Sequence, residues 1–237
     1  MNAVMSAVNI DFSRVVDWIP TFIEGTWVTI VLSLTTVVIG SLIGLVVVLM
    51  KMSNVKVLNW LANAYTNIVR GTPMLLQLFV WLYGFPVLGI RFAGIGFLGG
   101  TFGSREFITA VVALAINSGA YVSEVLRGGL ESVDKGQVEA GRALGLSKGE
   151  TMFSIIIPQA IRIVLPGLGN EFITMIKESS IVSTVGVFDV MYTSNIVQAS
   201  TYSIFEPLIV VGIIYYILTY SLSTLMKYLE KRLNTYA

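Results

Sequence analysis

The chain contains no cysteine and no histidine. Those two zeros remove disulfides, thiolate nucleophiles, imidazole general bases and the usual tetrahedral zinc sites. Charge is scarce too: 12% of residues are Asp, Glu, Lys or Arg, against ~25% in an ordinary soluble domain. The two signs nearly cancel, to a formal net charge of +1 over 237 residues, so neither nucleic acid nor an acidic surface is singled out as a partner. No Walker A pattern occurs, which leaves the chain without a visible ATP site of its own. Gly94, Gly96 and Gly99 match Gly-x-Gly-x-x-Gly, but no strand precedes them and no acidic partner follows, so the match reads as a flexible turn.

Apolar residues are what the chain has in excess: 55% are hydrophobic and the mean hydropathy is +0.80. This is the composition of a membrane protein. Charge-free runs extend from Thr26 to Met50, Gly71 to Ile90, Phe107 to Ser123 and Pro207 to Met226, each near the ~20 residues a helix needs to cross ~30 Å of hydrocarbon. A fifth run, from about Ile163 to Phe188, is interrupted by Glu171, Lys177 and Glu178. Spans are expected over roughly 25–50, 71–90, 107–126, 163–186 and 206–227 of one domain covering 1–237. The first run is too long for a signal-peptide core, and acids (Asp11, Asp17, Glu24) precede it rather than a basic stretch, so it reads as a permanent span.

Five spans put the termini on opposite sides, and Lys/Arg counts in the short loops orient them. One side collects Lys51, Lys56, Arg127, Lys135, Arg142, Lys148, Arg162, Lys227, Lys231 and Arg232, while the other has only Arg14, Arg91 and Arg105. The N-terminus is expected outside and the C-terminus in the cytoplasm. In "VRGTPML", after Arg70, Thr72 can cap and Pro73 can occupy a first helical turn. A helix break there leaves Val57 to Val69 as a helix at or entering the cytoplasmic face; one tilted helix from Val57 to Phe85 is the alternative. The glycine-rich "FPVLGIRFAGIGFLGGTFGSRE" reads as an external loop.

The polar stretch "EAGRALGLSKGE", Glu139 to Glu150, falls on the cytoplasmic side. Asp134 with Gln137 resembles a capping box, Ser147 with Glu150 fits its Ser-x-x-Glu form, and Gly145 offers a left-handed helix end. The expectation is a helix, a glycine hinge and a second short helix. Val138, Leu144 and Leu146 supply apolar anchors for docking on a partner or on the rest of the chain; a plain solvated loop is the bland alternative. Gly40 and Gly44 allow a close helix approach, within the chain or between copies.

Charges in hydrocarbon cost at least ~2.5 kcal/mol and therefore face protein or a wet cavity. On the fourth span Glu171, Met175 and Glu178 share one stripe and Asn170, Thr174 and Lys177 the next; on the third, Asn117, Tyr121 and Glu124 stack at the same spacing. Lys177 and Glu178 point about 100° apart and cannot form a helical pair. One account is structural, with Glu124 and Lys177 in interhelical bridges. The other is a cavity where the carboxylates receive a substrate cation and Ser179, Asn117 or a lysine meets its carboxylate. A Ser/Lys hydrolase built on Ser180 and Lys177 is a third.

Glu139-Ala140-Gly141, then Gly145, then Ile155 and Pro158 resemble the Glu-Ala-Ala…Gly…Ile-x-Leu-Pro pattern of ABC importer membrane subunits, with Gly141 in the third position and Ile157 for the Leu. "IVRGTPMLLQLFVWLYGFP", "AYVSEVLRGG" and "GNEFITMIKESSIVS" are similar to the polar amino acid (histidine/glutamine/arginine) permease branch. The resemblance implies an all-α, five-transmembrane-helix type I ABC importer permease fold with a cytoplasmic coupling-helix loop over 128–160, working by alternating access in a bacterial plasma membrane. It implies as partners two ABC ATPase subunits, a second permease copy (identical or related), an extracytoplasmic amino acid-binding protein and the lipid bilayer, with no nucleic acid. No cofactor is expected in this chain, since ATP and Mg belong to the ATPases, and no catalytic residue or metal ligand is assigned. Carried over, the ATPase-coupling residues are Glu139, Ala140, Gly141, Gly145 and Leu146. Substrate-binding candidates are Asn117, Tyr121, Glu124, Glu171, Thr174, Lys177, Glu178 and Ser179. Two acids on one stripe favour arginine, lysine or histidine; glutamine or another neutral polar amino acid is the rival, and an ATP-independent carrier is the reading from a different class.

Overall fold

A computed structural model describes residues 11–234, so the two ends of the domain expected over 1–237 lie outside the described residues. Every regular element among them is helical. In chain order these are α1 (Ser13–Val16), α2 (Ile19–Met52), α3 (Lys56–Arg70), α4 (Met74–Phe79), α5 (Phe85–Val87), α6 (Arg105–Glu131), α7 (Lys135–Ala143), α8 (Lys148–Thr151), α9 (Ile157–Glu178), α10 (Val190–Thr201) and α11 (Phe205–Asn234). Four stretches, Ile19–Met52, Arg105–Glu131, Lys148–Val185 and Phe205–Arg232, are long and apolar enough to cross a membrane. The pair Lys56–Arg70 and Met74–Val87 makes a fifth if it is counted as one span, bent by 105°. That bend settles the Gly-Thr-Pro question in favour of a break.

Thr72 does not cap the helix that follows. Its hydroxyl donates backwards to the Ile68 carbonyl at 2.9 Å, and the N-cap is Pro73, without a side-chain cap. Gln77 stitches the two arms instead, donating from Nε2 to the Val69 carbonyl at 2.7 Å and to Thr72 Oγ1 at 2.8 Å.

The two π turns among the described residues, Val80–Gly84 and Met152–Ile156, end two residues before a proline, Pro86 and Pro158. Proline has no N–H for the carbonyl four residues back and its ring collides with that carbonyl. A widened turn makes room while the helix continues. As a consequence α8 runs through the second π turn into α9, so the fourth helical stretch starts at Lys148 rather than near Ile163.

The heart of the bundle is α2 against α6. A Cβ on Gly40 would lie 2.9 Å from Ser118 Cβ, one on Gly44 2.7 Å from Val122 Cγ1, and one on Gly119 2.6 Å from Ile43 Cγ2. The register advances in the same direction on both helices, so they run parallel, and Gly40 and Gly44 serve packing within the chain. Across α6, Gly129 faces Val164, Gly167 faces Val125 and Ser118 faces Glu171, so α9 runs antiparallel to α6. Val28, Leu32, Leu78, Leu82, Leu114 and Met175 fill the main core.

Between α9 and α11 the chain forms a 3-10 segment (Ser179–Val185), which the fifth apolar run covers, and then α10, which no apolar run announced. Asp189 caps α10 by accepting the Tyr192 N–H at 2.7 Å, the Val190 N–H donates to Thr29 Oγ1 at 3.1 Å, and Val15, Phe22, Val190, Val197 and Val211 close a second core. Near the described start, the Asp11 N–H donates to Glu206 Oε1 at 3.0 Å. The Asp11 carboxyl itself is held below its ordinary range by hydrogen bonds from the Ser13 hydroxyl and N–H.

Candidate functional site

The elbow between α6 and α9 is built by its caps. Asp134 accepts the Gly136 N–H at 2.6 Å, but Gln137 does not reach back to close a box; its Oε1 takes the Gln159 amide at 3.4 Å instead. Gly145 is left-handed, with φ +78°, and the Leu146 N–H donates to the Gly141 carbonyl at 3.0 Å, the six-to-one closure of a Schellman end. Ser147 and Glu150 form the reciprocal box, Ser147 N–H to Glu150 Oε2 at 2.8 Å and Glu150 N–H to Ser147 Oγ at 3.3 Å. The second half of the elbow is no separate short helix: α8 continues through the π turn into α9 and is the first turn of the fourth helical stretch.

The resemblance-derived contact set divides by side. Glu139, Ala140 and Gly145 are exposed, Leu146 is half-buried, and Leu144 stands 76% exposed. Gly141 instead turns to the chain's own interior, where a Cβ would meet Thr151 Oγ1 at 2.8 Å, Thr151 Cγ2 at 2.9 Å and Ile155 Cδ1 at 3.4 Å. The alanine that the pattern carries in this position would crowd Thr151, to which the close approach is made.

The stripe Asn117–Tyr121–Glu124 of α6 looks at the α3–α4 bend. Asn117 is buried and its Nδ2 donates to Gln77 Oε1 at 3.1 Å. Arg70 lies over the Tyr121 ring, 5.3 Å from its centroid. Glu124 gathers Lys51, Arg127 at 2.7 Å and Arg70 at 3.7 Å. The structural account holds for Glu124, whose interhelical bridges reach Lys51 and Arg70, but none of them reaches Lys177. Because α6 and α9 are antiparallel, the helix turn carrying Lys177 lies beyond Glu171 and Ser118, away from the end that carries Glu124.

On α9, Glu171 is 8% exposed and accepts the Ser118 hydroxyl at 2.7 Å. Thr174 and Glu178 are half-buried and Lys177 is exposed. Ser179 is buried, with its hydroxyl donating to the Ile176 carbonyl at 2.8 Å. The Ser180 hydroxyl donates to the backbone carbonyl of Lys177 at 2.8 Å, not to its ammonium, which leaves the hydrolase reading without its pair. Neither Glu171 nor Glu178 has a basic group within ion-pair distance among the described residues. The candidates thus fall on two polar faces: Asn117 and Ser118 are successive residues about 100° apart, one turned to α4 and the other to α9.

Sequence reasoning missed Lys51, Thr66, Gln77 and Ser118. Lys51 lies just beyond the first apolar run and looks like a loop charge, yet its ammonium donates to Thr66 Oγ1 at 3.0 Å as well as to Glu124. Gln77 and Ser118 are polar interruptions of apolar runs, and that signal was present.

The fold and the capped elbow define an all-helical multi-pass membrane protein with one lever-like connection at its basic end. The chain belongs to the family of binding-protein-dependent transport system inner membrane components, which matches residues 36–235. It is 40% identical over 227 residues to the arginine transport system permease protein ArtQ of Bacillus subtilis, covering 96% of this chain and 99% of that protein. It is also 41% identical over 212 residues to a putative glutamine transport system permease protein of Rickettsia typhi, covering 89% and 92%. Among solved structures it is similar to an amino acid ABC transporter crystallised with histidines, at TM-score 0.87 and 42% identity over 94% of this chain and 99% of the other. A chain of the MetNI methionine ABC transporter shares the fold at TM-score 0.74 and 19% identity, over 92% of this chain and 98% of that one.

Proposed function

We propose that the chain is the translocation subunit of an ATP-driven importer of a basic amino acid, arginine, lysine or histidine. The carrying observation is the division of charge in the bundle. Glu124 gathers Lys51, Arg70 and Arg127, whereas Glu171 and Glu178, one stripe of α9, have no basic ion-pair partner among the described residues. Intramembrane carboxylates without such a partner suit a cationic cargo. Glu178, half-buried, is the group assigned to meet it; Glu171, sunk against Ser118, orders the helix contact behind it. The similarity to an arginine permease supports the same substrate class, while the similarity to glutamine permeases keeps a neutral amide as the second reading.

Two ATPase subunits bearing ATP and Mg dock at the exposed face of α7 around Glu139 and Ala140, a second permease copy completes the pathway, and a binding protein delivers substrate on the other side. The N-terminus lies on that delivery side. Alternating access then follows from α7 and α9 moving as one piece. An ATP-independent carrier has no use for this lever.

The test is Glu178→Gln in the reconstituted complex. Apparent affinity for arginine should fall by about tenfold, the scale of one charge-assisted contact, with ATPase activity and assembly retained. Unchanged arginine affinity in this variant refutes the cation-receiving role, and a wild-type complex stimulated by glutamine but not by arginine selects the neutral reading.

A further inference from the structure

Two cavities meet at the elbow end of the bundle. The first, about 470 Å³, is a slot between α2, α6 and α9 walled by Leu49, Leu126, Ile157 and Ile161, and its lining holds no hydroxyl, amide or charged side chain. The second, about 550 Å³, opens beneath α7 and is lined by Arg127, Glu131, Lys135 and Val138. Met52, Leu130 and Met152 line both, so an apolar slot continues into a charged mouth. The slot faces outward: Leu49 is 59% exposed and Phe153, on its wall, 74%.

An apolar slot in the wall of a membrane span is filled by hydrocarbon, since water gains no hydrogen bonds there. The mouth selects which hydrocarbon. Arg127 and Lys135 stand at the rim with Glu131, and Lys51 and Arg70 lie behind them on Glu124. Of the charged side chains that line the mouth, Arg127 and Lys135 outnumber Glu131, and Lys135 enters no ion pair among the described residues. Such a local excess of positive charge beside a hydrocarbon slot matches a phosphodiester carrying a net negative charge.

We infer that the slot binds one anionic glycerophospholipid from the leaflet at the elbow end, its acyl chain between α2, α6 and α9 and its phosphate at Lys135 and Arg127. The lipid sits under α7, against Val138 and Met152, and braces the lever from below. The inference stands whatever amino acid is carried.

The test uses the full chain in nanodiscs of equimolar phosphatidylglycerol and phosphatidylcholine, extracted in mild detergent, with retained lipid counted by mass spectrometry. One phosphatidylglycerol per chain should be retained in clear preference to phosphatidylcholine. Lys135→Gln, a surface change that leaves packing intact, should lower that preference by about fivefold, the effect of removing one cation near a lipid phosphate. Leu130→Trp, which fills the slot, should release both lipids, while Ile217→Trp in a separate groove between α2 and α11 should change nothing. Equal retention of the two lipids by the wild type, or an unchanged preference in Lys135→Gln, overturns the inference. So does disulfide dimerisation of Leu49→Cys, whose thiol is the chain's only one, because a second copy would then cover the slot.

Discussion

Gly25→Ala should destabilise the bundle by about 3 kcal/mol. The added Cβ would collide with Thr193 Oγ1 and lie 2.9 Å from the Asp189 carbonyl oxygen and 3.0 Å from Val190 Cα. Two of these three neighbours are backbone, so no rotamer change relieves them and α10 must back away from α2. Overpacking of this kind costs about 1–3 kcal/mol. Backing away also stretches the Val190 N–H to Thr29 Oγ1 bond from 3.1 Å, and a buried N–H left unmet adds about 1–3 kcal/mol. The better helix propensity of alanine returns only ~1 kcal/mol. Gly212→Ala in α11 is the matched control, with nothing within 4 Å of its added carbon, and should be neutral or slightly stabilising. Unfolding of both variants by denaturing detergent in mixed micelles, followed by tryptophan fluorescence, measures the difference. Gly25→Ala/Thr193→Ala should stay close to the single variant, because only one of three contacts is removed. Equal stability of Gly25→Ala and Gly212→Ala would refute this account of how α10 is seated.

Glu124→Gln should cost about 3 kcal/mol by the same assay, at the low end of the range for breaking a buried pair, because Lys51 is only 7% exposed and a glutamine oxygen can accept its hydrogen bond but cannot neutralise its charge; Lys51→Met/Glu124→Gln should recover part of that loss, and an additive double variant would remove the pairing argument. Gly141→Ala should weaken the α7 contact by about 1 kcal/mol, the overpacking against Thr151 exceeding the gain in helix propensity. Hydrogen exchange at α7 reads this effect, and Thr151→Ser, which deletes the Cγ2 contact at 2.9 Å, should suppress part of it; protection identical to wild type in Gly141→Ala would show that residue 141 does not face Thr151.

Much of the helical framework was readable from near neighbours in the chain. The apolar runs fall inside α2, α6 and α11, which extend beyond them by up to eight residues at an end, the Gly-Thr-Pro break divided α3 from α4, and Ser147, Glu150 and Gly145 marked the elbow's turns. α10 was missed because its sequence, "VMYTSNIVQAST", has neither the length nor the apolarity of a span; the Asp189 cap before it was the available signal. The continuation of α8 into α9 was missed because the apolar run reads as starting near Ile163, and only a π turn reconciles Pro158 with an unbroken helix before it. Among the site residues, the sequence placed Asn117, Tyr121 and Glu124 on one stripe and Glu171 and Glu178 on another, but it could not say what each stripe faces.

By itself, then, the sequence determined which stretches are apolar enough to cross a membrane, where several caps and breaks fall, and which polar groups share a helical face. Caps, period and chain-breaking residues act over about four positions, and those interactions are written in adjacent letters. Only the tertiary structure decided that Gly40 and Gly44 close on α6, that Gly141 closes on Thr151, and that Glu124 takes Lys51 and the arginines rather than Lys177. Those outcomes depend on the relative direction of packed helices, parallel for α2 and α6 and antiparallel for α6 and α9, a property of the assembled core that no local pattern encodes.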